Sequence, residues 1–459
     1  MQTAAPGAIQ SVNTINTMVQ VQGAYQGSVP AQEPGPPLAL SLDDAVRRGL
    51  RYNLGAVAFQ NSVLAAQGQQ RGAMSALLPN VTAGLLVTDE QLDLAALGFS
   101  SIHVPGLAFP TVIGPFHFFD LRAGVSENVF NLTNLRNFRA SRENARATQL
   151  GAQDARNLVV LAVTGTYLQV IAAGARVDSV RAQVATAQAT FNQARDRFTS
   201  GMSPRIDMTR SQVELQTQEQ RFTLVENDLA KQRIALERLI GLAPGQGYAL
   251  TDTLPYAPLI GITLDQALDR AAANRSDLKA AAAQVHAAEL ARGAVLAERY
   301  PFADVAADYG DIGTGPANSR GTFNLTGSVR FPVFQGGRVS ADLQQADAAL
   351  RQRRAEYQDL RGRINAEVRV AFLDLNAAAN QVKVADSNRG LARETLQQAR
   401  DRFAAGVADT VEVVQAQEQV AAAELDYISS LFAHNLAKTS LARAMGQADE
   451  HIRQFLEAR

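Results

Sequence analysis

The side chains that could carry chemistry in this 459-residue chain are few and scattered. Its five histidines, His103, His117, His286, His434 and His451, share no metal-ligand spacing. Cysteine is absent, which removes thiolate metal sites, disulfides and a cysteine nucleophile. The stretch FQGGR at 334–338 has glycines but lacks the Lys and Ser/Thr of a phosphate loop. No catalytic residue, metal site or cofactor is therefore expected. Two acids do recur by position: Asp207 lies six residues beyond Gly201, and Glu412 six beyond Gly406. Acids crowded together attract cations and raise each other's proton affinity, whereas a lone acid at a helix start is simply favoured by the helix dipole. The choice between these depends on the elements that place them.

Those elements come in duplicate. QARDRFTSG at 193–201 returns as QARDRFAAG at 398–406, and SLDDAVRRGL at 41–50 resembles TLDQALDRAA at 263–272. VFNLTN from Val129 matches VFQGGR from Val333, and RLIGL from Arg238 matches RAMGQ from Arg443. A long internal period of this kind marks a duplicated unit. The repeats run over 38–245 and 258–449, after an N-terminal extended segment, 1–37, and before a tail, 450–459. The Gly- and Pro-rich stretch 246–257 reads as a linker.

Each repeat contains long runs rich in Ala, Gln, Arg and Glu. From about Asn137 to Thr199, and from about Arg338 to Ala404, there is neither Pro nor a turn cluster. Helices of this length span roughly 90 to 100 Å and need a coiled-coil partner. The partner follows in sequence: after Gly201, Ser203 can cap a return helix and Pro204 suits its first turn. Met208, Leu215, Phe222, Val225, Leu229, Leu236 and Leu239 then form a heptad seam, as do Val411, Val414, Ala421, Leu425, Ile428 and Phe432 in the second repeat. The spacing predicts long hairpins over 137–240 and 338–445, with Gly201 and Gly406 ending the first arm in the left-handed conformation. A shorter helix before each strand pair, from Leu54 and before Pro301, would stack on the return helix to match the long arm. A capping box, Ser41 with Asp44 and Thr263 with Gln266, opens a short helix before each. The acids elsewhere on the helices read as solvated coiled-coil faces.

No continuous apolar window of about 18 residues suggests a spanning helix, but four segments alternate as membrane strands do. They are 80–88, 119–130, 302–310 and 322–334. Val81, Ala83, Leu85 and Val87 share a face; Leu121, Ala123 and Val125 alternate with Arg122, Gly124 and Ser126; Ala303, Val305, Ala307 and Tyr309 oppose Asp304 and Asp308. In the last segment Phe323, Leu325, Val329 and Phe331 point one way, and Thr322, Asn324, Thr326, Ser328 and Arg330 the other. The apolar stretch between about Asp89 and Phe118 is read as a loop that folds over the sheet end or packs on a neighbouring chain. Near-zero net charge gives no bulk argument for nucleic acid, and no signal peptide is visible after Met1.

The duplication, the order helix, helix, strand, strand, long helix, shorter helix, the LDxA starts, the VF before each long helix and the RFxxG hairpin ends resemble the outer membrane efflux protein family, typified by TolC. The resemblance covers about positions 38–449. It implies a mainly α fold with a small β part, which trimerises into a 12-stranded outer-membrane β-barrel on a periplasmic α-helical barrel. Physics concurs, since four strands cannot close a barrel and open edges are not tolerated in lipid. Under this reading Phe323, Leu325, Val329 and Phe331 face outer-membrane lipid, while Asp304, Asp308, Asn324, Ser328 and Arg330 face the lumen. The hairpin ends, Gly201, Met202, Ser203, Gly406, Val407 and Ala408, would dock a periplasmic adaptor protein that links to an inner-membrane transporter. Asp207, Glu412 and Gln415 would line a periplasmic gate; the family places an acid where Gln415 stands. The family's Tyr and Arg latch positions hold Phe403 and Ala408, so closure here needs other contacts, with Arg205 and Arg402 as candidates. The implied function is a trimeric exit duct for small molecules in a tripartite efflux system. Type I protein secretion is the alternative, and a soluble coiled-coil scaffold or periplasmic adaptor the further one.

Overall fold

The computed structural model describes residues 25, 27–31, 35–98, 110–253, 256–258, 261–408 and 410–448. In chain order the elements are β1 (Leu38–Leu40), α1 (Leu42–Tyr52), α2 (Leu54–Ser75), β2 (Asn80–Asp93), β3 (Val112–Phe130), α3 (Leu132–Thr199), α4 (Arg205–Ile240), β4 (Tyr248–Leu250), α5 (Leu264–Asn274), α6 (Ser276–Ala297), β5 (Phe302–Gly313), β6 (Ser319–Arg330), α7 (Arg338–Ala404) and α8 (Thr410–Ala444). The two halves therefore repeat one order. Each opens on a three-residue strand, and these two strands, β1 and β4, pair with each other in parallel.

The chain divides into two compact units. One comprises Met1–Val63, Thr148–Ala280 and Tyr357–Arg459; the other comprises Leu64–Ala147 and Ala281–Glu356.

The first unit holds the main core. The middle of α3 is apolar enough in composition to cross a membrane, yet most of that stretch is buried by protein, with Val159, Val160, Val163, Tyr167 and Val170 inside. Burial of this kind marks the stretch as a core helix rather than a span, and short polar residues such as Thr164 interrupt it. The segment read as a linker is part of this core. β4 pairs with β1, and just beyond it Asp252 accepts hydrogen bonds from the Tyr167 hydroxyl at 2.7 Å and from the Leu42 N–H at 2.7 Å. The capping box at Thr263 is complete, Thr263 and Gln266 exchanging both bonds, whereas at Ser41 the Oγ accepts from the Asp44 N–H and donates to the Asp44 carboxylate at 2.6 Å, a side-chain cap without the reciprocal backbone bond.

The helix ends follow the repeat. At Gly201, φ +72°, the Met202 N–H reaches Arg197 O at 2.9 Å and the Gly201 N–H reaches Phe198 O at 3.0 Å. At Gly406, φ +76°, Val407 and Gly406 bond to Arg402 O and Phe403 O in the same way. This doubly bonded left-handed ending is the one glycine permits. The return helix starts later than expected, however. Pro204 is the N-cap, with no side-chain cap, and Ser203 Oγ is buried without a partner. Helical geometry resumes at Arg205, one residue later than the sequence suggests, so the serine falls too early to cap.

The second unit carries the four-stranded sheet in the order β2-β3-β5-β6, antiparallel throughout. Its strands are longer than their alternating cores suggest. β2 and β3 continue as a ladder through Asp89↔His117, Glu90↔Phe116 and Leu92↔Ile113, past a bulge, so much of the apolar stretch read as a loop is strand; residues 99–109 of it lie outside the described residues.

Candidate functional site

Register determines which side chains share a face. Val81, Val125, Ala307 and Leu325 form one row across the four strands, and Ala83, Ala123, Tyr309 and Phe323 form the next. Directly paired residues point the same way, so the apolar positions of all four strands lie on a single face. Phe323 is 79 % and Leu325 69 % exposed, and Val329 and Phe331 are exposed beside them. Just beyond the sheet, Val333 and Phe334 stand almost fully exposed. Large aliphatic and aromatic surface left this open needs an apolar medium or a partner to cover it.

The opposite face is polar and internally bonded. Arg122, directly across from the small Gly310, donates to Asp308, to Asp120 at 3.3 Å and to Thr322 at 3.1 Å. Ser328 donates to Asp304 at 2.9 Å, and Arg330 lies 3.9 Å from the same carboxylate. Asn324 sits opposite Asp308 in the ladder. The five polar strand positions expected on one face thus share it. Sequence alternation placed Arg122 on this face without indicating that it ties three strands together.

At the hairpin ends, Gly201, Met202, Gly406 and Val407 are exposed, while Ser203 and Ala408 are half-buried. The two ends of one chain touch. The Arg197 guanidinium lies 4.3 Å from the Phe403 ring centroid and donates to Ala404 O at 3.3 Å. Behind the turn, Phe403 packs with Ala399, Val413, Ala416 and Leu396. Phe403 thereby gains a cationic partner, an attraction of roughly 0.5 to 2 kcal/mol, at the position where a tyrosine would have offered a hydroxyl. Of the acids, Asp207 and Glu412 are half-buried within the first turn of their helices and Gln415 is exposed. Arg402 Nε lies 3.1 Å from Glu412 Oε1.

Further along, the hairpins α3–α4 and α7–α8 are joined by Gln417, which donates to Thr190 Oγ1 at 2.9 Å, and by Arg176, which donates to Ser429 at 3.4 Å. The buried seam of α8 runs through Val413, Ala416, Gln417, Ala421 and Ile428, so Val411 and Val414 of the expected heptad lie at its edge. The shift arises because α8 faces α3 as well as α7. Two acids are not on solvated faces: Glu143 and Glu214 are buried. At the helix ends near the core, the fully buried Arg275 bonds Asp277 at 2.9 and 2.6 Å and Glu367 at 2.6 Å, and Arg443 shares Glu367 at 2.9 Å. Among the described residues no cluster of His, Asp and Glu could hold a metal ion.

The sequence pattern of the outer membrane efflux protein family matches residues 53–242 and 267–447, covering most of both repeats. Among characterised proteins, the chain is 25 % identical over 325 residues to the pyoverdine export outer membrane protein OpmQ of Pseudomonas putida, spanning 67 % of this chain and 66 % of that protein. It is 27 % identical over 212 residues to the cobalt-zinc-cadmium resistance protein CzcC of Cupriavidus metallidurans, spanning 46 % of this chain and 48 % of that protein. These two alignments thus span from about half to just under two-thirds of the relatives. The crystal structure of the outer membrane protein VceC from Vibrio cholerae superimposes with a TM-score of 0.73 at 18 % identity, covering 89 % of this chain and 97 % of that one. The paired family match, the repeated hairpins and the sheet with one apolar face agree: the chain belongs to the outer membrane efflux protein family.

Proposed function

We propose that three copies of this chain form an outer-membrane exit duct, through which small molecules delivered by an inner-membrane transporter and a periplasmic adaptor leave the cell. The observation that carries this reading is the sheet: four strands with a shared apolar face and two edges, β2 and β6, each paired on one side only among the described residues. In hydrocarbon every unpaired backbone group costs several kcal/mol, so an open edge of this length cannot persist there. Pairing β6 of one copy with β2 of the next satisfies both edges, and three copies close a 12-stranded barrel, within the range known for membrane barrels. The apolar face then meets lipid, and the face bearing Arg122, Asp304, Asp308, Asn324, Ser328 and Arg330 meets water. The hairpin tips, Gly201 to Ser203 and Gly406 to Ala408, become the docking surface for the adaptor, and Asp207, Glu412 and Gln415 lie where the tunnel narrows. Small-molecule cargo is supported by the relatives, which are named for pyoverdine export and for cobalt, zinc and cadmium resistance.

Native mass spectrometry of the detergent-extracted protein tests the assembly, with a species of three chains expected and planar-bilayer conductance accompanying it. A monomer that stays soluble and monodisperse after detergent removal would refute the duct and favour the scaffold. Loss of the gene should sensitise cells to small toxic compounds while leaving the secreted protein profile unchanged; the reverse pattern would point to protein secretion.

A further inference from the structure

Between the two hairpins, in the unit that contains their tips, α3, α4, α7, α8 and the β4 region enclose a cavity of about 850 Å³. That volume is typical of small-molecule sites. Its apolar walls near Thr190 and Gln417 include Ala187 and Val420, each three residues from one of them, and Leu396, which packs on the cluster containing Ala416. Among the polar groups of the lining, Glu214, Gln218 and Gln417 carry acceptors in want of donors. Glu214 is 7 % exposed and Gln218 2 % exposed; Gln218 Nε2 donates to Glu214 Oε1 at 2.6 Å, which turns Gln218 Oε1 away from the carboxylate, buried and without a partner. Gln417, 7 % exposed, is oriented just as firmly. Thr190 spends its hydroxyl proton on Thr186 O at 3.1 Å, so its oxygen can only accept, and it accepts from Gln417 Nε2 at 2.9 Å. Gln417 Oε1 is thereby also left buried without a partner.

The buried carboxylate has no cation beside it. Among the described residues no Lys, Arg or His lies within ion-pairing distance of Glu214, and the nearby arginines of the lining are engaged: Arg393 with Glu424, and Arg389 with Asp386 and the Tyr427 ring. Arg233 lies 19 residues along the same helix, roughly 28 Å away at helical rise. A buried carboxylate held by one amide, next to two orphaned carbonyl oxygens, is costly unless donors arrive from outside. An ammonium group brings three N–H donors and a positive charge, and has no acceptor to satisfy.

We propose that this cavity binds a lipophilic organic ammonium ion, its N–H groups taken by the Glu214 carboxylate and by the amide oxygens of Gln218 and Gln417, whose side chains shift to admit it, its hydrocarbon part lying on the aliphatic walls. The bound cation touches both hairpins of one chain and so holds them together. Neither the gate acids nor the barrel takes part.

Calorimetric titration of the detergent-solubilised protein with 4-phenylbutylammonium tests this, with 4-phenylbutan-1-ol as the uncharged match for micelle partitioning. The ammonium should bind about ten-fold or more tightly than the alcohol, as a charge-assisted hydrogen bond implies. Glu214→Gln should erase that preference. Gln417→Leu, which keeps the volume and removes one acceptor, should weaken ammonium binding several-fold while the alcohol is unaffected, and it serves should Glu214→Gln fail to fold. The double variant Asp207→Asn with Glu412→Gln should bind as the parent does. Equal affinity for ammonium and alcohol, binding indifferent to both Glu214→Gln and Gln417→Leu, or binding lost in the tip double variant would each overturn the site.

Discussion

Leu325→Arg is the sharpest probe of the membrane assignment, because the register fixes its depth. On the apolar face of β6 the positions run Gly321, Phe323, Leu325, Gly327 and Val329, with Phe331 just past the strand end. Gly321 is paired with Asp311, whose carboxylate marks the upper limit of the apolar face. From Gly321 to Phe331 the chain advances ten residues, about 33 Å along an extended strand. At a strand tilt of about 40°, that projects to about 25 Å, the height of the apolar band of a membrane barrel. Leu325 then lies close to the midplane and Phe331 at the lower boundary. An arginine at the midplane should cost about 2–4 kcal/mol per chain, and one at the boundary about 0–1 kcal/mol; three symmetric copies raise the first figure to roughly 6–12 kcal/mol per trimer. Asn324→Arg, one residue away on the other face and opposite Asp308, gains a counter-charge and should cost little. Refolding into lipid vesicles across a urea series, read as heat-resistant trimer on gels, measures all three. The order of loss should be Leu325 far above Phe331, with Asn324 near the parent. Equal loss at Leu325 and Asn324, or Phe331→Arg as damaging as Leu325→Arg, would refute the face assignment or the depth scale.

At the hairpin tips, Met202→Glu with Val407→Glu places charge on the exposed turns and should abolish export in a complementation assay at normal trimer and membrane levels; retained export would remove the docking role. At the proposed gate, Asp207→Asn with Glu412→Gln should lower cation selectivity and divalent-cation block in single-channel recordings. Arg402→Gln, which frees Glu412 from the guanidinium 3.1 Å away, should raise both, and no change in either variant would leave only the helix-dipole role of these acids. Stability should also fall in acid because of His434. Burial, helped by Lys438, pushes this imidazole down to about 4 from an ordinary value near 6.5. The unfolded chain therefore takes up a proton between those values while the folded chain does not, and stability drops as pH falls from about 6.5 to 4. The urea midpoint should decline less between pH 7 and pH 5 in His434→Leu than in the parent, and parallel declines would show that other groups set the acid limit.

What could be read from the sequence is what local chemistry encodes. The glycine ends at Gly201 and Gly406, the side-chain caps at Ser41 and Thr263, and the alternation of Phe323 to Phe331 need only neighbours in sequence, and each appears in the structure. What escaped depends on partners outside the local stretch, from some 30 to some 200 residues distant. β1 and β4 are three residues each, too short for a periodic signal, and exist because Leu38–Leu40 meets Tyr248–Leu250. β3 extends through Phe116 to Phe119, where apolar residues occupy both faces and alternation vanishes; the backbone ladder to β2 defines the strand there. Glu214 shows the same limit on a helix. A heptad pattern sorts residues by one partner helix and assigns an acid to the solvated side, but α4 borders a second hairpin, and the supposedly wet face turns inward beside Gln218 and Gln417. In a duplicated chain, the contacts between repeats are the ones that neither copy's periodicity can announce. Those contacts, Gln417 on Thr190 and Arg197 over Phe403, are also the ones that must break if the two hairpins are to move apart.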